Sequence, residues 1–387
     1  MTQRVVQKFG GSSVADAEKL RKVARKVQAR RAQGCELVVV VSAMGDTTDE
    51  LLGLARQLSA DPPRRELDML LSCGERISMA LLSMALQELG VPAVSFTGSQ
   101  SGIITDESHA QARIVEVRPT RIVEALGQGK VVIVAGYQGV SRAKEVTTLG
   151  RGGSDTSAVA LAAALGADCE IYSDVDGVFS ADPRVVPEAT KRESLSFEEM
   201  QELAAAGAKV LNAQAVEFAR EAGITIHALS THAAGTGTRV EATAAGLGVQ
   251  GVPAEQELWV LAVRRGLGEV LAFLDERAVK PRALLGSPGA HLVLVPLHDV
   301  HGPEALAAAL GERFRDGLTV RGELGTVSCV GTGLNSSFSV LRGALEEAAA
   351  LGASPAGHSL TSLQLTLVVP REHLTGLTQR LHRRFVG

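Results

Sequence analysis

The stretch from Thr147 to Pro183 constrains this chain more than any other. Thr147-Thr148-Leu149-Gly150-Arg151-Gly152-Gly153-Ser154-Asp155-Thr156 places glycines on both sides of an arginine and runs into an alanine-rich segment ending near Gly166. Glycine lets backbone amides approach an anion closely, and Ser or Asp is a favoured helix N-cap. A glycine loop that opens onto a helix N-terminus is an anion site, and Arg151 adds a fork for a carboxylate or phosphate. Further on, Glu170-Ile171-Tyr172-Ser173-Asp174 reads as a buried strand ending in polar groups. In open α/β sheets, ligands collect at such C-terminal strand ends. On its own residues the stretch also fits an ordinary strand-turn-helix with a solvated charge pair, so the rest of the chain has to decide.

The preceding residues repeat the theme. Val5 to Phe9 is a short strand followed by Gly10-Gly11-Ser12-Ser13-Val14. Lys8, beside two glycines and two hydroxyls, offers one point charge and several donors, as a phosphate site requires. The lysine precedes the glycines, so this is not a Walker A loop; a solvated strand end is the plain alternative. A helix from Asp16 to Gln33 follows, with Asp16 as its N-cap. Leu37 to Val41 is continuously apolar, the pattern of a parallel strand buried on both faces, and ends in Ser42-Ala43-Met44-Gly45-Asp46-Thr47-Thr48-Asp49. Helices are expected at 48–59 and 64–90. The second carries Gly74-Glu75-Arg76; taken alone, Glu75 reads as an exposed helix charge paired with Arg76. Strands are expected at 91–96, 131–135 and 224–228, with helices near 196–205 and 210–222, and His227 reads as a strand-face histidine.

Strands alternating with helices predict an αβα sandwich with a mostly parallel sheet. Residues 231–256 are rich in Ala, Gly and Thr, which places a domain boundary near 240. Beyond it, strand and helix patterns repeat twice, predicting two small ferredoxin-like modules at about 257–322 and 323–387. The expected division is a catalytic domain over 1–240 and a regulatory region over 241–387.

Composition removes several classes. The 387 residues suffice for two or three domains with real cores. A net charge of -4 without a Lys/Arg block argues against a nucleic-acid binder. Cys35, Cys73, Cys169 and Cys329 lack metal-site or CxxC spacing and read as thiols of a reducing compartment. No signal-peptide pattern is seen and no apolar run is read as long enough to cross a bilayer, so a cytoplasmic protein without membrane partners is expected.

Taken together, Lys8 to Val14, Ser42 to Leu51, Gly74-Glu75, Thr147 to Thr156 and Ser173 to Arg184 resemble the aspartate kinases, a branch of the amino-acid kinase superfamily. The resemblance is close over the N-terminal part and loose over the remainder, which looks like a degraded pair of ACT modules. It implies transfer of the γ-phosphoryl group of ATP, with Mg²⁺, to the side-chain carboxylate of L-aspartate, the first step towards lysine, threonine and methionine. By resemblance, Lys8 and Asp155 are catalytic, and Lys8 bridges the transferring phosphoryl group. Gly10, Gly11 and Ser12 donate to the phosphates. Ser42, Thr48, Glu75, Arg151, Gly153, Ser154 and Asp155 hold aspartate, with Arg151 on its α-carboxylate and Glu75 and Asp155 on its ammonium. Ser173, Asp174, Phe179, Arg184 and Lys209 hold ATP; the family usually has Tyr where Phe179 stands. No protein ligand to the metal is assigned. A homodimer or higher homo-oligomer through the ACT-like modules is implied.

The chain departs from the family at Asn212-Ala213, where His-Pro is common, and at Ala228-Leu229-Ser230-Thr231, where Arg-Ser-Ser is common. The regulatory loops also differ. By resemblance, Arg264-Arg265-Gly266-Leu267-Gly268 stands where the family has a Lys-Pro-Gly-like loop, and Lys280 to Gly286 lacks the amide side chains of the later stretch that binds lysine or threonine, so weak or absent feedback inhibition is expected. Two other readings compete: a kinase acting on glutamate or a nucleotide, and a catalytically silent amino-acid sensor. Arg151 and Asp155, placed as in the aspartate branch, weigh against the first, and intact Lys8, Arg151, Asp155 and Asp174 weigh against the second.

Overall fold

The computed structural model describes residues 3–387 apart from Arg151, Lys209, Ala234, Ala244, Ala245, Ala278, Pro288, His298, Asp299 and His301, and only the backbone of Ser287. Two compact units are present. The first comprises Met1–Val178, Glu193–Phe197 and Val210–Thr243; the second comprises Phe179–Arg192, Glu198–Lys209 and Ala244–Gly387.

In chain order the elements up to the first unit's last strand are β1 (Arg4–Phe9), α1 (Ala17–Ala32), β2 (Glu36–Val41), α2 (Thr47–Leu58), α3 (Arg64–Leu71), α4 (Cys73–Glu88), β3 (Ala93–Phe96), β4 (Ile103–Thr105), β5 (Ile114–Val117), α5 (Thr120–Gly127), β6 (Val131–Ala135), β7 (Gln138–Ser141), β8 (Val146–Thr148), α6 (Gly153–Leu165), β9 (Asp168–Ser173), β10 (Ser194–Ser196), α7 (Phe197–Ala205), α8 (Ala213–Ala222), β11 (Ile226–Ser230) and β12 (Thr238–Glu241). The main sheet runs β10-β12-β11-β9-β1-β2-β6-β3. Its pairs are parallel except β11 with β12. Residues 37–41 of β2 and the whole of β6 are 1% exposed or less, which is why both read as unbroken apolar runs rather than alternating ones.

Local capping follows the sequence. Asp16 accepts from the Lys19 amide at 2.8 Å and starts α1. Helix α6 is buried on nearly every side, so its alanine-rich sequence carries no polar stripe. It stops at Gly166, whose φ of 60° ends the helix in the left-handed region. A smaller sheet, β5-β4-β7-β8, leads directly into the glycine loop ahead of α6. One expectation is corrected: the 25-residue helical stretch Arg64–Glu88 is long and apolar enough to span a bilayer by length and composition, although 44% of its most apolar window is buried within the fold. It also carries the buried carboxyl groups of Asp68 and Glu75.

The second unit recruits residues 179–192 and 198–209, which the sequence reading placed in the N-terminal domain. Hydrogen bonds within that unit explain the recruitment: Val252 donates to the Ser180 carbonyl at 2.7 Å, and Ser180 Oγ meets His382 Nε2 at 2.8 Å. Its further elements are β13 (Gly248–Gly251), β14 (Ala254–Glu255), β15 (Leu258–Val263), α9 (Leu267–Asp275), β16 (Ala283–Ser287), β17 (Ala290–Pro296), α10 (Pro303–Arg313), β18 (Leu318–Arg321), β19 (Leu324–Thr332), α11 (Ser339–Ala350), β20 (Gly357–Leu360), β21 (Gln364–Pro370) and α12 (Leu374–Phe385). One sheet, β16-β17-β15-β18, forms a ferredoxin-like module; the other runs β13-β19-β21-β20, with β14 also on β19. The second module therefore begins before the first. Residues 248–255, part of the Ala-, Gly- and Thr-rich stretch expected to hold the domain boundary, supply its edge by backbone pairing, which needs no large apolar group.

Candidate active site

The parallel register brings four strand ends together. Lys8 lies beside Val40 and Ile171, and Val40 lies beside Val134. The loops that follow β1, β2, β6 and β9 therefore open on one edge of the sheet, where open α/β folds bind ligands. Each loop is anchored by its neighbour: Gly10 donates to the Tyr172 carbonyl at 3.3 Å, Ser42 to Phe9 at 3.1 Å, and Gly136 to Val41 at 3.0 Å.

At this edge Lys8 Nζ stands 2.6 Å from Asp155 Oδ1, with side chains only 13% and 10% exposed. The pair is close but poorly angled for a hydrogen bond, so the attraction is that of two charges. Each compensates the other's desolvation, and neither would be tolerated alone at this depth. Lys8 is therefore not a solvated strand end. Asp155 lies in the first turn of α6, where the positive end of the helix dipole also favours an anion.

Two glycines set the loop geometry. A Cβ on Gly11 would lie 2.9 Å from the Ala43 carbonyl oxygen, so the loops after β1 and β2 pack back to back only because that atom is missing. Gly152 caps α6 with φ 74°, and a Cβ there would overlap the Asn212 side chain. Asn212 caps α8 by accepting from Gln214 at 2.9 Å and Ala215 at 3.3 Å, which gives the departure from the family at this position a structural part.

Glu75 corrects the reading taken from its residues alone. It is 3% exposed, and Arg76 reaches instead towards Gln138 Oε1 at 3.3 Å. Glu75 Oε1 accepts from the Ala43 amide at 3.1 Å, while Oε2 is buried without a hydrogen-bond partner among the described residues. Burial pushes the Glu75 carboxyl up to about 7, against the lowering effect of backbone hydrogen bonds. Ser78, one turn further along α4, donates to the Ser42 carbonyl at 2.7 Å and ties the loop after β2 to the same helix.

The remaining residues expected in the site are placed as follows. Ser154 is buried in the first turn of α6, and a Cβ on Gly136 would touch its side chain, so α6 starts directly above the end of β6. Gly153 begins α6. Ser42 and Thr48 are half-buried, the latter in the first turn of α2; Gly10 is half-buried and Ser12 exposed. Ser173 Oγ accepts from the Val175 amide at 3.2 Å, and Asp174 is exposed. Phe179 and Arg184 belong to the second unit, where Arg184 is exposed and forked onto Asp182. Arg151 and Lys209 lie outside the described residues. Three residues not singled out from the sequence, buried Asp68 and Thr148 with half-buried His109, form a cluster beside the glycine loop. The signal for it was an Asp between Leu67 and Leu71 on the apolar side of α3.

Residues 3–230 match the amino acid kinase family. The chain is 38% identical to the aspartokinase of Thermus thermophilus over an alignment of 406 residues that covers 98% of each. The chain belongs to the aspartokinase family. Identity rises to 61% over 238 residues with the aspartokinase of Mycobacterium tuberculosis, across 61% of this chain and 56% of that protein; the match spans little more than half the length of such relatives. Among solved structures, E. coli aspartokinase III in complex with aspartate and ADP shares the fold, with a TM-score of 0.84, 24% identity, and coverage of 98% of this chain and 99% of that one. Aspartate kinase from Synechocystis is 35% identical with a TM-score of 0.58, over 98% of this chain and 69% of that chain.

Proposed function

We propose that this aspartokinase-family protein transfers the γ-phosphoryl group of ATP to the side-chain carboxylate of L-aspartate, giving 4-phospho-L-aspartate and ADP. The observation that carries the reading is the buried Lys8–Asp155 pair among glycine loops at the strand ends, with Glu75 offering an unpartnered carboxylate oxygen nearby in the chain's β2–α4 corner. The relatives named above as aspartokinases, and the fold shared with an enzyme holding aspartate and ADP, support it.

The chemistry asks little of the protein beyond positioning and charge. An anionic carboxylate must approach a polyanionic phosphate, and a loosely bonded phosphoryl group then moves between two oxygens. Lys8 neutralises charge on the transferring group, and the Gly11 amide with the Ser12 hydroxyl holds phosphate oxygens; the Gly10 amide is taken by the Tyr172 carbonyl, so the donor role that the resemblance gives Gly10 falls to its neighbours. The aspartate carboxylate is already ionised at neutral pH, so no general base is required. Glu75 Oε2 lacks a donor, and a substrate ammonium would supply one. Asp155 in its pair with Lys8 holds both charges at fixed positions, while Arg151, Ser42, Thr48, Gly153 and Ser154 complete the aspartate site. Ser173 and Asp174 take ATP, and the roles of Phe179, Arg184 and Lys209 rest on the resemblance alone. Mg²⁺ would be carried mainly by phosphates and water, with no protein ligand assigned.

The proposal extends to a catalytic part over 1–240, a regulatory part over 241–387, a cytoplasmic setting and homo-oligomer formation through the ACT-like modules. Trapping the product with hydroxylamine tests the chemistry, because an acyl phosphate yields a hydroxamate. Aspartate hydroxamate formed only with MgATP supports the reading; ADP release without hydroxamate overturns it.

A further inference from the structure

We propose that Asp68 is a positioning residue for the glycine loop, its carboxylate locking the stem of that loop and the turn that covers it into one clamp. The inference rests on the reading of that loop as part of the aspartate site.

Asp68 lies in α3 and is fully buried. Its two oxygens gather three donors from two separate places in the first unit, the 109–110 turn and the end of β8. Thr148 Oγ1 donates at 2.5 Å, His109 Nδ1 stands at 2.6 Å, and the Ala110 amide reaches both oxygens at 3.0 and 3.2 Å. Thr148 is the last residue of β8, and Leu149-Gly150 follow at once. Its carbonyl accepts from Ala112 at 2.9 Å, so the 108–112 turn is fastened to the stem from both sides. The turn in turn covers the loop: the Cβ position of Gly150 is 3.4 Å from the Ala110 carbonyl oxygen. One strand residue earlier, Thr147 shares a buried 2.6 Å hydrogen bond with Thr105.

Ala110 adopts φ 69°, a conformation that an alanine disfavours. It is held there by the hydrogen bonds to Asp68. A carboxylate is the one side chain that can accept from a hydroxyl, an imidazole and an amide at once, because it offers about four lone-pair sites and no donor. An amide in its place presents an NH₂ to one of these donors; only His109 Nδ1 can receive it, and only by switching to the other imidazole tautomer, while Thr148 and Ala110 are left to share a single oxygen. The stem then loses its fixed point. A substrate-holding loop displaced by even a fraction of an ångström loses alignment, which lowers affinity for the substrate it holds. No atom of Asp68 is required to touch substrate.

The test uses the full chain with Asp68→Asn, Thr148→Val and Thr148→Ser. Two readouts are taken: steady-state kinetics with aspartate and ATP, and amide hydrogen exchange of 106–112 and 147–150 without substrates. The clamp predicts that Asp68→Asn and Thr148→Val raise the aspartate KM about tenfold. The ATP KM stays within about twofold, and kcat falls less than the aspartate KM rises. Thr148→Ser, which keeps the hydroxyl, restores wild-type behaviour, and exchange in both segments accelerates only in the two damaging variants. Equal loss for both substrates, unchanged exchange, or a serine variant as impaired as the valine one overturns the clamp. Should Asp68→Asn not fold, the Thr148 pair decides alone. Should the unaltered protein not turn over aspartate, the proposed function falls while the exchange readout still decides the clamp.

Discussion

Replacing Glu75 by Gln should change how stability depends on pH, and the size of the change can be worked from the structure. Burial raises the Glu75 carboxyl from its ordinary 4.5 to about 7. The folded chain therefore holds this proton more tightly than the unfolded chain. The favourable contribution is complete below pH 4.5, declines as pH rises from 4.5 to about 7, and is gone above that. At about 1.36 kcal/mol per pH unit, the interval is worth on the order of 3 kcal/mol. Gln fills the same space without ionising, so the variant should lack this decline and be the more stable protein at pH 8 by up to about 3 kcal/mol. Urea denaturation of both proteins between pH 5 and 8 measures the difference directly, because the other titrating groups are common to both. Aspartate binding should respond oppositely. An ammonium prefers ionised Glu75, so affinity should rise with pH through 7 in the unaltered protein and be weak and flat in the variant. Parallel stability curves for the two proteins would refute the argument that Glu75 is held protonated by burial.

Other outcomes follow from the same contacts. Lys8→Met should cut kcat by about 100-fold or more, because it removes the charge at the phosphoryl site; rapid-quench turnover measures it. Gly152→Ala should destabilise the first unit by about 1–3 kcal/mol, since a side chain is disfavoured at φ 74° and would strike Asn212; adding Asn212→Ala should recover only the clash, as urea melts can show. Burial lowers the His382 imidazole below its ordinary 6.5, so its contribution is present above 6.5 and lost as pH falls. His382→Gln should therefore flatten acid destabilisation of the second unit, followed by calorimetry. Lysine and threonine added together should leave activity little changed, since Lys280 to Gly286 lacks amide side chains and Arg264 to Gly268 departs from the Lys-Pro-Gly-like loop of the family; sharp submillimolar inhibition would contradict this.

Much of the first unit was legible because its signals are local. Continuous apolar runs marked β2 and β6, Asp16 marked the start of α1, and glycines marked the loops at the strand ends. Lys8 and Asp155 could be named from motif chemistry, but their 2.6 Å contact depends on β1 meeting α6, a pairing that no local pattern encodes. Glu75 was misread on its own residues because its neighbours in sequence include Arg76, whereas its environment is set by the loop after β2. Asp68 was passed over for a related reason: a charged residue in a helix reads as solvated until the turn at 109–110 and the end of β8 are seen to converge on it. In the second unit, β13 and β14 escaped notice because edge strands paired through backbone carry no apolar alternation, and their partner β19 is far away in sequence.

The central claim is that Lys8 and its neighbours serve phosphoryl transfer to aspartate. A coupled ADP-release assay with MgATP, offering L-aspartate and L-glutamate in parallel to the unaltered protein and to Lys8→Ala, tests it most directly. The account predicts turnover with aspartate, none with glutamate, and loss of turnover in the variant. Absence of turnover with aspartate, together with a specific thermal shift on binding an amino acid, would contradict it and identify a sensor built on a kinase fold.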